Sequence, residues 1–183
     1  DLADQGNIDT AMKVVNFSSG SLSFSNKFLN ISTKVPLVGS IFREPFTISN
    51  ILLQAALSAK RLLTVAELSR DLSSQAFSDE VYDPEFYTKQ ISLNLDATYN
   101  DLGFLQGEIQ GREGVLIDYL KRKVDLEKLS SFRQKIYYGK KLSDNLAVSL
   151  GKGAKKSYLI LFQNNMELSP TGGFIGSFAL VTF

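Results

Sequence analysis

The residues of this 183-residue chain that could do chemistry lie in a polar segment near its end. Two apolar, β-favouring runs, 157–164 and 174–183, flank that segment, which predicts a loop between two strands. Such loops often carry binding sites, and consecutive glycine amides can form an anion-binding nest. Alternatively, the asparagines bond to neighbouring backbone and the glycines only permit the turn. The candidate ligand-binding residues are Asn164, Asn165, Glu167, Thr171, Gly172 and Gly173.

The composition excludes several reaction classes before any fold is considered. The chain has no cysteine and no histidine, which removes zinc sites of the Cys/His kind, thiol nucleophiles, disulfides and serine–histidine triads. We therefore predict no metal and no cofactor, and the catalytic residues, if the chain has any, stay unknown. A hydrophobic fraction of 44%, a charged fraction of 21% and a net charge of +1 are typical of a folded domain.

Apolar residues recur at helical spacing as far as about residue 150. This pattern predicts a mainly α fold, an antiparallel bundle of about four long helices. The expected helices cover about 7–32, 47–74, 84–110 and 115–150, the last in one or two pieces. The expected inward-facing stripe of the third helix is Ile91, Leu95, Thr98, Leu102, Leu105 and Ile109.

The segment 33–46 is expected to be a connection without helix, because it contains Pro36, Gly39 and Pro45. Three glycines, Gly103, Gly107 and Gly111, recur every four residues near the end of the third helix. They indicate either close packing against a neighbour or a frayed helix end.

Charge is distributed unevenly along the helical region. Residues 77–118 contain nine acidic and two basic residues, for a net charge of −7, whereas residues 119–156 contain eleven basic and three acidic residues, for a net charge of +8. One interpretation is that the third and fourth helices are antiparallel neighbours with complementary surfaces. The other is a basic surface for anionic lipid or an anionic envelope polymer. That surface would comprise Lys121, Arg122, Lys123, Lys140, Lys141, Lys152, Lys155 and Lys156.

The final apolar run, 174–183, reads as a buried strand that needs further strands beside it. We therefore expect two regions: a helical bundle or stalk at 1–152, and at 153–183 the first β-hairpin of an incomplete α/β or β-rich domain. Further sheet is expected after Phe183, so the rest of the same chain is one expected partner.

The run 158–178, YLILFQNNMELSPTGGFIGSF, resembles the signature of the Domain of Unknown Function 4012 family of bacteria. The close resemblance covers about 26 residues. It implies an extracytoplasmic cell-envelope protein, anchored by a membrane helix outside these residues. Ser169 stands where the family commonly has arginine, which puts in doubt any role that needs a cation there. A much looser resemblance links the strand–loop–strand to the LytR-CpsA-Psr phosphotransferases.

Two functions follow as hypotheses. The first is a noncatalytic interaction or scaffold region, whose partner is another protein, a second copy, an anionic envelope polymer or a membrane surface. The alternative is a glycopolymer or phosphate-transfer enzyme with its site around the 164–173 loop. A nucleic-acid partner is not expected, because the pI near 8.0 is low for such proteins and no recognition motif accompanies the basic residues.

Overall fold

The structure is a computed structural model that describes residues 2–35, 39–78, 83–164 and 174–183. Within these ranges it contains five helices followed by an antiparallel two-stranded hairpin, which confirms the predicted fold class. The elements are α1 Leu2–Ser32, α2 Gly39–Ala76, α3 Pro84–Gly111, α4 Val115–Lys123, α5 Leu126–Ser149, β1 Ser157–Asn164 and β2 Phe174–Thr182. The predicted fourth helix is thus two helices, α4 and α5.

The core is organised around α3, which packs against both α2 and α5. Its buried side chains alternate at spacings of three and four residues, the periodicity of one helix face. They are Thr88, Ile91, Leu95, Thr98, Leu102, Leu105 and Ile109, so every residue of the predicted stripe is buried. The threonine hydroxyls are satisfied within the helix, because Thr88 donates to the carbonyl of Pro84 and Thr98 to that of Asn94, both at 2.8 Å.

Side-chain contacts define the direction of each neighbouring helix. Asn26 of α1 donates to Asn50 of α2 at 2.7 Å, and Gln75 near the end of α2 donates to Tyr87 near the start of α3 at 2.9 Å. Lys152, just after α5, lies 2.6 Å from Glu85 at the start of α3. Each helix is therefore antiparallel to its packing neighbour. As a consequence, α2 and α5 run in the same direction on either side of α3.

Aspartates begin two of the helices. Asp83 accepts hydrogen bonds from the backbone amides of Glu85 and Phe86, and Pro84 occupies the first helical position of α3, where it needs no amide hydrogen. Asp125 accepts from the amides of Glu127 and Lys128 and begins α5 after a two-residue break. These amide hydrogen bonds lower the pKa of Asp125, the one to Lys128 most strongly.

The prediction of a nonhelical connection through residue 46 is wrong for residues 39–46, because α2 begins at Gly39 and continues through Pro45. Proline fits helical φ, but it removes one backbone hydrogen bond and its ring crowds the carbonyl four residues earlier. Burial of the apolar face formed by Ile48 and Ile51 against the core offsets this cost. Gly39 is required by close packing, since a Cβ at this position would collide with the carbonyl of Thr33. The segment Pro36 to Val38 lies outside the described residues.

The side-chain carboxylate of Glu44 in α2 caps the short helix α4. Gly114 precedes α4 with φ of 150° and has no side chain to cap it. Instead, Oε1 of Glu44 accepts hydrogen bonds from the amides of Leu116 at 2.6 Å and Ile117 at 3.2 Å. Ile117 itself is almost completely buried. Glu44 therefore satisfies free amides and the positive end of the α4 dipole, and it holds Ile117 in the core.

The hairpin joins the bundle at its base. Residues pair in antiparallel register from Ser157 with Thr182 to Asn164 with Phe174, with a bulge between Phe162 and Gln163. The hydroxyl of Tyr158 donates to the carbonyl of Ser149 at 2.6 Å. The ring of Phe183 lies 5.9 Å from that of Phe77, just after α2. The base of the hairpin is thus held against the ends of α2 and α5.

Replacement of Glu44 by alanine tests the cap. The variant Glu44→Ala is expected to lower the free energy of unfolding by about 1–2 kcal/mol, because two amides at the start of α4 lose their acceptor. Glu67→Ala, in the same helix, is the matched control and should change stability by about 0.5 kcal/mol or less. Urea denaturation followed by circular dichroism measures both, and equal losses in the two variants would contradict the role of the cap.

Candidate functional site

The predicted ligand-binding loop starts where β1 ends. The backbone of Asn164 pairs with Phe174, so the two predicted strands flank the polar segment as expected. The side chain of Asn164 and the whole of Asn165, Glu167, Thr171, Gly172 and Gly173 lie outside the described residues. Their role in ligand binding therefore stays a prediction.

The eight candidate basic residues are spread along the fold. Lys121, Arg122 and Lys123 form the last turn of α4, just before α5 begins, whereas Lys152, Lys155 and Lys156 follow its end. A helix of 24 residues is about 36 Å long, so these two groups lie at opposite ends of α5. Lys140 and Lys141 lie between them. The basic residues thus follow the length of α5 and do not converge on one point.

Two of these charges face carboxylates of α3, as the antiparallel interpretation predicted. Lys152 contacts Glu85, and Nζ of Lys140 lies 3.9 Å from Asp96 of α3 and 3.2 Å from Asp144 of its own helix. Solvent-exposed pairs of this kind contribute little to stability. They instead favour the antiparallel pairing of α3 with α5, because this pairing places basic side chains of one helix beside acidic side chains of the other. The complementary-surface interpretation is confirmed at these contacts.

Two charged groups of α5 have shifted pKa values. The pKa of Asp144 is lowered, mainly because Ser92 of α3 donates a hydrogen bond to its carboxylate and also because Lys140 lies beside it. The pKa of Lys141 is raised by Tyr137, over whose ring its ammonium lies at 4.7 Å from the centroid. Both shifts favour the charged form, so these side chains are held as ions on the surface of α5.

A further contact between α3 and α5 explains one of the three glycines. The guanidinium of Arg133 lies 4.0 Å from the centroid of the Tyr99 ring, and its Nε donates to the carbonyl of Tyr99 at 3.1 Å. A Cβ on Gly103 would lie 2.7 Å from this guanidinium. Gly107 and Gly111 would meet nothing within 4 Å. Close packing is therefore confirmed at Gly103 and not at the other two.

The bundle contains an apolar groove that the sequence did not reveal. It has a volume of about 490 Å³ and lies between the second half of α2 and α5, above α3. The floor is formed by Ile91 and Leu95 of α3, and the hairpin closes one end with Phe183. The walls comprise Val65, Ser69, Leu72, Ser73, Ala76 and Phe77 on the α2 side, and Lys135, Ile136, Gly139, Leu142, Ser143, Leu146 and Leu150 on the α5 side. This groove is the candidate functional site.

Both walls of the groove combine small and large side chains. The α2 wall has Ser69, Ser73 and Ala76 as well as Leu72, and the α5 wall has Gly139 and Ser143 as well as Leu142 and Leu146. Leu142 is 67% exposed although it points into an apolar cavity. Its exposure shows that the α5 wall has room for another apolar group. The spacing of Leu142 and Leu146 predicted an inward helix face, but periodicity alone does not show that a neighbour is missing.

The hairpin forms a second apolar surface. Alternate side chains of a strand point to opposite faces, and here consecutive residues 159–162 of β1 are all exposed and apolar. On β2, Ile175, Phe178 and Leu180 are exposed as well. The apolar side chains of the predicted strand are uncovered in the described residues, and the expectation of further strands beside it stays a prediction. A two-stranded hairpin with uncovered apolar faces is marginally stable by itself, so these faces require a partner surface.

In the ranges that the structure describes, no three Asp, Glu, His or Cys side chains are grouped so that they could hold a metal ion. None of the helices within the same ranges has both the length and the apolar content of a bilayer-spanning segment.

Comparisons with known proteins give no assignment. No protein-family model, curated protein or solved structure matches this chain significantly.

The hydrogen bond from Ser92 to Asp144 predicts a dependence of stability on pH. Because folding lowers the pKa of Asp144, its contribution to stability is present above the ordinary aspartate value of 3.8 and is lost as the pH falls through the folded-state pKa. The variant Asp144→Asn should therefore lose less stability than the parent chain between about pH 5 and about pH 2. Thermal melts across this range measure the difference.

Ser92→Ala is the matched variant on the other side of the same contact. It removes the main donor to Asp144 and should reduce the pH dependence in the same direction as Asp144→Asn. If the parent chain and both variants show the same pH profile, the contact has no electrostatic role.

Proposed function

We propose that this chain is the helical interaction or scaffold region of an extracytoplasmic, membrane-anchored bacterial cell-envelope protein. The apolar groove between α2 and α5 is the observation that carries the interaction role. The envelope location and the anchor, a membrane helix outside these residues, rest on the resemblance of the run 158–178 to an envelope family. Catalysis is not part of this proposal.

The occupant that best fits the groove is the apolar face of an amphipathic helix from a protein partner. The walls α2 and α5 run in the same direction and are separated by α3, so they leave a straight trough over its surface. From Lys135 to Leu150 the α5 wall is about 22 Å long, which matches a helix of about 15 residues. Small side chains on α2, Ser69, Ser73 and Ala76, allow the backbone of that helix to approach closely.

The uncovered hairpin supports the second part of the proposal, a larger sheet-containing domain beside the bundle. Both faces of β1 present exposed apolar side chains, and a hydrophobic face of a sheet must be covered by another layer. We propose that further strands of the same chain provide this layer. In this arrangement the hairpin connects the bundle to the larger domain through Tyr158 and Phe183.

Site-specific photocrosslinking in bacterial cells tests the interaction role. A benzophenone amino acid at Leu142, in the groove, should crosslink to one protein whose attached peptide is an amphipathic helix. The same group at Ser131, an exposed α5 position that is not among the groove residues, is the matched control and should give no such product. Crosslinking from Leu142 to lipid, or equal products from the two sites, would refute the proposed occupant.

Cell fractionation tests the proposed location separately. The full-length protein should sediment with membranes and be digested by protease added to spheroplasts. A protease-resistant protein in the soluble cytosol would refute the envelope part of the proposal and leave the groove argument intact.

The enzyme hypothesis remains a second proposal, in which the 164–173 loop binds the phosphate of a glycopolymer precursor. A polyprenyl-phosphate analogue that binds only the folded state must raise the melting temperature of the full-length protein by mass action. If the loop is the site, a combined replacement of Asn164, Asn165 and Glu167 by alanine should abolish this shift. An unchanged shift in the triple variant, or no shift in the parent at saturating analogue, would refute the enzyme hypothesis.

A further inference from the structure

The first helix carries an exposed apolar stripe on the side away from α2. Its members alternate at spacings of three and four residues, which is the heptad pattern of a coiled-coil seam. Phe17 is 78% exposed, Phe24 is 76% exposed and Phe28 is 62% exposed. The complete stripe is Val14, Phe17, Ser21, Phe24, Phe28 and Ile31, and we call it the α1 seam.

The α1 seam contains a shallow pocket, which we call the notch. Between Phe17 and Phe24 the small residues Gly20 and Ser21 leave a shallow open pocket of about 510 Å³. A Cβ added to Gly20 would meet nothing within 4 Å. The notch can therefore accept one large side chain from a facing surface, as a hole accepts a knob in helix packing.

The spacing of the seam suits a facing helix. A straight helix drifts by about 20° per heptad relative to a strict seven-residue repeat, so a strict heptad stripe turns gradually around the helix. Another helix can follow that turn by supercoiling, so that the seam stays in contact along its whole length. The α1 seam keeps the strict repeat from Val14 to Ile31.

We propose that a second copy of this chain binds the α1 seam in an antiparallel orientation, with the full stripes overlapping. In that register Val14 faces Ile31 of the second copy, Phe17 faces Phe28, and Ser21 faces Phe24. Each layer then pairs side chains that fit, and each notch receives Phe24 of the other copy. A parallel dimer would instead place Ser21 against Ser21 and leave a void, which is destabilising.

The area available is sufficient for a stable contact. With roughly 200 Å² for each phenylalanine, the three exposed rings of the seam present about 400 Å² per copy. Val14 and Ile31, both more than 60% exposed, extend the seam at its two ends. The pair of copies then buries about 1,000 Å² or more, which reaches the size expected of a specific interface.

The flanking charges allow the same register. Lys13 and Lys27 lie along one side of the seam, and no acidic residue flanks it between them. In the full-overlap antiparallel register, Lys27 of one copy lies near Ser18 and Gly20 of the other. Lys13 lies near Lys34, which follows α1 and is exposed, so solvent and salt screen this like-charge pair. Small residues on the other side, Ser18 and Ser25, allow the two helices to approach closely.

Sedimentation equilibrium of the chain tests the dimer. The parent should sediment as two copies, and Phe24→Asp should weaken the dimer at least about 100-fold, because each copy loses its knob and places a charge in the notch. Asn30→Asp adds the same charge at an exposed α1 position off the seam and should leave the dimer intact. Phe24 is exposed, so Phe24→Asp should retain the helical circular dichroism and melting temperature of the monomer.

Spin labels at single introduced cysteines test the orientation, since the chain has no cysteine of its own. In the proposed register the two labels of Asp9→Cys should lie about 40 Å apart along the helix axis, and those of Asn16→Cys about 20 Å apart. A parallel dimer would give the same short distance at both positions and would overturn the proposed orientation.

Three results would overturn the proposed dimer. The first is a monomeric parent chain at 100 µM. The second is an association that survives Phe24→Asp but is lost in Phe178→Asp, which would place the contact on the hairpin. The third is a monomer that binds anionic phosphatidylglycerol vesicles through Phe24. None of these results bears on the groove, so this inference and the proposed function fail separately.

Discussion

The buried stripe of α3 is the constraint on which the rest of the structure depends. One helix face, which includes Thr98 and Leu102 at its centre, is shared by α2 and α5. Because both partners are antiparallel to α3, they are parallel to each other and lie on either side of it. The groove is a direct result: two helices that pack on the same third helix leave a trough between them unless a further element fills it.

The periodicity of apolar residues was sufficient to locate the helices and the inward face of α3. Every residue from Ile91 to Ile109 that the pattern assigned to the core is buried. The sequence pattern failed at the start of α2, where residues that usually end a helix lie within one. Gly39 and Pro45 are ordinary helix breakers, yet α2 begins at the first and continues through the second. Between them lies Glu44, which caps a helix that begins 71 residues later. Nothing local to Glu44 indicates that contact.

The candidate sites were predictable to different degrees. The composition of the segment after Asn164 predicted a loop between strands, since turn residues interrupt two apolar runs, and the strands are present. The opposite net charges of residues 77–118 and 119–156 predicted that α3 and α5 would attract each other. Only the geometry shows that Lys140 and Lys152 contact carboxylates. The groove could not be predicted, because periodicity identifies an apolar face without showing whether a neighbour covers it.

The free energy of local opening differs between helices of the bundle, because α1 packs mainly on α2 whereas α3 packs on both α2 and α5. Each helix packs on its neighbour along the chain or, for α3 and α5, on the next long helix, so native contacts are local and sequential. Opening of α1 breaks the hydrogen bond between Asn26 and Asn50 and leaves the α3 stripe in place. Amide protons of α1 therefore exchange with solvent through local opening of this helix, at a lower free energy than those of α3.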